Sequence, residues 1–141
     1  MKTDSMTRFD YLYLGSMILD LFVVIAGWDW IVMAIHDEVH LQGGGPDMEA
    51  FMSGLAPYFV AISFALGFLM WMLISVFRFQ IFRWVLAILV GLDIVSFLLD
   101  FVFAPEVDIF YLADFVSLAL VVGAVYFVFQ PDAGAWLREE V

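Results

Sequence analysis

The chain has 141 residues, 65% of them hydrophobic and 15% charged, with a mean hydropathy of +1.03 and a formal net charge of −11. This composition excludes an ordinary soluble domain and fits a single integral membrane domain. The acidic balance excludes nucleic acid as a partner, because that binding needs clustered Lys and Arg. The lack of cysteine excludes disulfides, thiol catalysis and cysteine metal ligation.

In chain order, residues 1–10 are a short polar lead with Lys2 and Arg8, and Thr7 or Asp10 is placed to cap the following helix. The first span is expected over 11–35. It is about twice as long as a signal-peptide core and carries Asp20, so it reads as a retained helix. Trp28 and Trp30 suit an interface, the chain leaves through His36-Asp37-Glu38-Val39-His40, and Gly43-Gly44-Gly45-Pro46 breaks the helix. The second span is expected over 52–77, with Pro57 in its first turns and Ala61 and Ala65 as a small packing face. A tight connection over 78–83 leads to the third span, 84–103, with Ala87 and Gly91 as its small face. The linker Ala104-Pro105-Glu106-Val107-Asp108 leads to the fourth span, 109–129, with Ala119 and Gly123 in the same role. Gln130-Pro131-Asp132 stops that helix, and the tail 133–141, with Trp136 and Leu137, is amphipathic enough to lie on an interface. The fold class expected is all-α, a bundle of four transmembrane helices over 1–141 without a soluble domain.

The basic residues orient the bundle. Lys2, Arg8, Arg78, Arg83 and Arg138 all fall at the termini or in the second connection, whereas the other side carries Asp37, Glu38, Asp47, Glu49, Glu106 and Asp108. Positive-inside bias therefore predicts both termini in the cytoplasm.

Carboxylates inside apolar runs mark the functional question, since an aspartate at the centre of a membrane helix costs about 3 kcal/mol on insertion scales. The hairpin 84–129 carries Asp93, Asp100 and Asp114 with no Lys or Arg. Asp20 and Asp93 each lie nine residues, roughly 13 Å, from the start of their spans, near the bilayer midplane. Asp29, Asp100 and Asp114 form a second layer nearer the outer face. Asp93, Ser96 and Asp100 share one stripe of the third helix, and Ser117 stands one turn from Asp114. Three readings follow. The acids are hydrogen-bonded and hold helices in register, or a partner subunit supplies their cations, or they do chemistry. In the last case Asp100 and Asp114 share a proton and activate water, or Asp20 and Asp93 relay protons as a transporter or channel would.

His36 and His40, at i and i+4, share a helical face and make half of a metal, haem or pigment site. The order His-Asp-Glu-Val-His is neither the zinc-protease helix motif nor its inverse, and no third ligand stands out. The competing reading is a solvated helix end, and nothing in the sequence requires a cofactor.

Two resemblances can be stated on these residues. The hairpin Phe97-Leu98-Leu99-Asp100-Phe101, then Pro105, then Phe110-Tyr111-Leu112-Ala113-Asp114 resembles the end of lipoprotein signal peptidase (signal peptidase II). That resemblance implies an aspartate dyad, Asp100 and Asp114, activating water on a peptide bond at the outer leaflet. More broadly, Arg83-Trp84 opening the third span and Phe129-Gln130-Pro131-Asp132-Ala133-Gly134-Ala135-Trp136 near the end resemble small four-span bacterial inner-membrane proteins of unknown function. That likeness implies a bacterial inner-membrane location and carries no catalytic residues. The leading expectation is a non-enzymatic accessory or assembly subunit. Its partners are the lipid bilayer and other membrane subunits or copies of itself, met through Asp20, Asp29, Asp93 and Ser96.

Overall fold

The computed structural model describes residues 2–103 and 109–138, with Phe103 described for its backbone only. The described residues form six helices: α1 (Asp4–Ala26), α2 (Trp28–Leu41), α3 (Pro46–Ser75), α4 (Ile81–Phe103), α5 (Ile109–Val128) and α6 (Pro131–Arg138). The fold is all-α, and α1, α3, α4 and α5 are each long and apolar enough to cross a bilayer. The linker 104–108 and the end of the tail lie outside the described residues. Apolar side chains cover the outer surface, among them Ile18, Phe22, Phe59, Ile62, Leu66, Ile88 and Val95. Hydrocarbon supplies their solvent, so these helices have no need of a strongly one-sided apolar stripe.

The sequence draws attention to the hairpin 84–129, but the bundle is arranged around α1. Leu12 stands against Gly123, Ser117 hydrogen-bonds Asp20, and Phe110 stands against Gly27, so residue numbers rise on α1 as they fall on α5. The two helices are therefore antiparallel along their length. Against α3, the Tyr13 hydroxyl donates to the Gly67 carbonyl at 3.0 Å and Met17 touches the same glycine. The α4–α5 hairpin is held by rings: Phe97 with Tyr111 at 4.7 Å between centroids, and Trp84 with Phe129 at 4.8 Å.

Several sequence-level boundaries move. The helix expected over 11–35 is two helices that meet at Gly27, where a Cβ would lie 3.0 Å from the Val23 carbonyl oxygen and 3.1 Å from the Phe110 ring. The N-cap is Thr3, whose hydroxyl accepts from the Met6 amide, so Thr7 and Asp10 lie inside α1 rather than at its start. Pro46 sits at the first position of α3, as proline favours. Pro57 is consequently interior to α3, where its missing N–H removes one rung of the ladder. Of the small faces, Gly123 packs against Leu12, whereas Ala61, Ala65 and Gly91 are exposed. The close-approach glycine of α3 is Gly67.

The two ends of the bundle are built differently. At the end bearing Lys2, Arg8, Arg78 and Arg83, α6 folds back under the helices and buries Ala133, Gly134, Trp136 and Leu137 beside Met6, Phe9 and Ile74. The tail is thus docked into the core rather than laid along an interface. Asp10 accepts from Trp71 Nε1 at 2.9 Å and also binds Lys2 and Ser75, joining the chain start, α1 and α3. Arg78 adopts the left-handed conformation (φ 58°) just past α3 and lays its guanidinium 4.2 Å from the Trp136 ring centroid.

Asp132 fastens α6 to the start of α1 by accepting from the Ser5 amide at 3.2 Å. Hydrogen bonding from Ser5 holds the Asp132 carboxyl below its ordinary value, against a smaller opposing effect of desolvation. A depressed carboxylate pKa contributes stability that is complete above the unfolded value and is lost as pH falls through the folded one. Amide protection over 131–138, corrected for intrinsic exchange, is therefore expected to weaken below the ordinary value of 3.8. Asp132→Asn is expected to have lost that acid-dependent component, and an unchanged acid profile in this variant would rule the linkage out.

Candidate functional site

The intramembrane acids converge. Asp20 of α1, Asp93, Ser96 and Asp100 of α4, and Asp114 and Ser117 of α5 line one open-sided groove of about 270 Å³. Along α4, Asp93, Ser96 and Asp100 recur at three and then four residues, which keeps all three on one stripe. On α5, Asp114 and Ser117 are one turn apart, and the antiparallel register against α1 brings Ser117 onto Asp20. Ser117 is buried, whereas Asp93, Asp100 and Asp114 are exposed at the groove mouth. Among the described residues, no Lys, Arg or His lines it.

Asp20 and Asp93 also line a second, largely apolar cleft of about 610 Å³ between α1, α3 and α4, together with Tyr13, Ser16, Met17, Ser63 and Phe64. The two spaces share Asp20, Asp93 and Val121. The polar groups therefore run from Asp100 and Asp114, through Asp20 and Asp93, toward Ser16 and Tyr13 on the side of the Lys2–Asp10 cluster. Such an arrangement can accept protons or a cationic side chain, since four carboxylates and two serines line one groove and Ser117 hydrogen-bonds Asp20.

Of the acids singled out by sequence, Asp29 does not join this groove; it is exposed in the first turn of α2. Asp20 and Asp29 are on different helices, separated by the break at Gly27. Asp100 and Asp114 share the groove with Asp20 and Asp93, so the two layers expected along the bilayer normal are parts of one surface.

His36 and His40 lie on α2, which continues through the segment read as a solvated exit. Their rings meet edge to face, 4.3 Å between centroids. His36 Nδ1 is 2.9 Å from Glu49 Oε1, in the first turn of α3. Sequence reasoning passed over Glu49 as one of several acids on that side. The signal that finds it is the triple-glycine turn, which folds the start of α3 back on the end of α2.

Asp10 is the other residue passed over. The sequence offers it as a cap, whereas its carboxylate joins three side chains at the basic end. Its position about two turns into α1, with Lys2 just ahead of that helix, is the available signal. No family model, curated protein or solved structure matches this chain, so both resemblances rest on their own motif residues.

Proposed function

We propose that this chain is a non-enzymatic membrane subunit that receives a cationic or hydrogen-bond-donating side chain from a neighbouring transmembrane segment in its acidic groove. The observation that carries this reading is the convergence of Asp20, Asp93, Asp100 and Asp114, from three helices, on one open-sided groove. Asp93 and Asp100, exposed at the groove mouth on one stripe of α4, can take a donor from outside the chain, and such a contact fixes the register of two proteins. The basic residues gathered at one end favour a cytoplasmic location for both termini, and the four-span likeness favours a bacterial inner membrane.

The test is association in the native membrane. Gentle detergent extraction of the wild-type chain is expected to bring a larger membrane complex with it. The double variant Asp93→Asn, Asp100→Asn is expected to reduce that co-purification about tenfold or more while helical content and thermal stability stay near wild type. A monomeric wild type, or an unaltered complex with the double variant, would refute the reading.

A second reading is favoured by the shared lining of the two clefts, which sets Asp20 and Asp93 between the acidic mouth and Tyr13. On that reading the chain moves protons, and Asp20 and Asp93 carry them near the midplane. Proton flux into proteoliposomes that collapses in Asp20→Asn and Asp93→Asn would favour it; flux indifferent to both changes would remove it.

A further inference from the structure

At the end of the molecule opposite α6, a separate cluster is assembled by the α2–α3 turn. His36 and His40 are one helical turn apart on α2, and Glu49 reaches them from the first turn of α3. One ligand atom from each residue lies within 4.8 Å of the others. A tetrahedral zinc centre with bonds of about 2.0–2.1 Å separates its ligand atoms by about 3.3 Å, a spacing that the His36–Glu49 pair, at 2.9 Å, already brackets and that the others need only a small approach to reach.

The backbone that brings these residues together is tightly determined. Gly43 takes φ +74°, and the Gly44 amide donates to the Val39 carbonyl at 2.8 Å. A Cβ on Gly44 would lie 2.6 Å from Val39 Cγ1, so the turn can close this tightly only with glycine there. Pro46 then starts α3 at once, which leaves Glu49 little freedom to leave the histidine face.

We propose that His36, His40 and Glu49 form a binding site for a divalent transition-metal ion, zinc being the best match, with one coordination position open to water or an outside ligand. Two imidazoles and one carboxylate are a donor set used by zinc in three-ligand sites. The set has too few oxygens for calcium and too much nitrogen for magnesium. His36 and Glu49 retain 46% and 31% side-chain exposure, so an ion can enter from water. Asp37 and Asp47 nearby in sequence add negative charge that attracts it. Bound metal would join α2 to α3 and stabilise the hairpin by mass action.

The experiment uses the full-length protein, free of any polyhistidine tag, in detergent micelles, with Zn²⁺ competed against a chromogenic chelator and Co²⁺ added alone as a spectroscopic probe. One Zn²⁺ per chain and the visible bands of low-symmetry Co²⁺ are expected. His36→Ala, His40→Ala and Glu49→Gln should each weaken binding about tenfold or more, a loss as large as that from second-shell changes at known sites. Glu38→Gln, an acid on the same helix that hydrogen-bonds Gln42 instead, should leave the affinity unchanged. Glu49→Gln is nearly isosteric, so unchanged helical content in that variant separates lost ligation from lost fold. Wild-type protein that binds no stoichiometric metal overturns the proposal. So does metal held equally well by His40→Ala and Glu49→Gln.

Discussion

Asp10→Ala is expected to be among the most destabilising single substitutions in the chain, lowering unfolding free energy in micelles by about 3 kcal/mol. The Asp10 carboxylate binds the Lys2 ammonium and the Ser75 hydroxyl and accepts from the Trp71 indole, in a setting where its side chain is 18% exposed and that of Lys2 30%. Removing it takes the acceptor from the Trp71 indole and the counter-charge from Lys2, which keeps only Ser75 and the Trp136 ring, and the remaining exposure keeps the figure at the low end for a broken buried pair. Asp10→Asn retains an acceptor for Trp71 and loses chiefly the ion pair, so about 1 kcal/mol is expected. Reversible denaturation of both variants measures the two contributions. Equal losses would assign the effect to charge alone, and wild-type stability in Asp10→Ala would show that the cluster holds nothing together.

Trp136→Ala is expected to undock α6. Truncating a buried aromatic side chain costs about 3–5 kcal/mol, and here it also removes the ring beneath the Arg78 guanidinium, 4.2 Å from the centroid, and near Lys2 Nζ at 5.6 Å. The ceiling on the effect is the docking free energy of α6. At eight residues, that helix is too short to persist alone. Protection from amide exchange over 131–138 should therefore collapse while the four long helices stay protected. Trp136→Phe should keep most of the protection, because the indole Nε1 has no hydrogen-bond partner among the described residues and the ring face is retained. Retained protection in Trp136→Ala would show that Leu137 and Ala133 suffice to hold the tail.

These two substitutions act at the basic end, away from the acidic groove and from the histidine cluster. Neither residue lines the groove. Loss of α6 therefore leaves the groove acids in place, and co-purification with a membrane partner should survive Trp136→Ala. The molecule thus separates its tasks along its length: one end is closed by charged and aromatic contacts, and the midsection opens sideways through carboxylates.

Much of this was legible in the residues themselves. Composition and run length determine that α1, α3, α4 and α5 can cross a bilayer, because a bilayer tolerates only long, apolar, internally hydrogen-bonded segments. Helical periodicity likewise places Asp93, Ser96 and Asp100 on one stripe, and the ends of α5 lie within a residue of those expected. Helix starts were less legible where small or polar residues continue a helix beyond its apolar run, as Pro46 does for α3 and Thr3 for α1.

What required the tertiary structure was every relation between helices. That Ser117 meets Asp20, that Gly67 rather than Ala61 or Ala65 receives α1, and that Asp10 joins Lys2, Trp71 and Ser75 depend on rotation and register about helix axes. Glu49 reaches His36 for the same reason, through a glycine turn whose direction no periodicity reports. A chain solvated by lipid carries apolar residues on every face. Its sequence therefore determines which segments are helices and how deep each acid lies, whereas side-chain packing decides which faces meet.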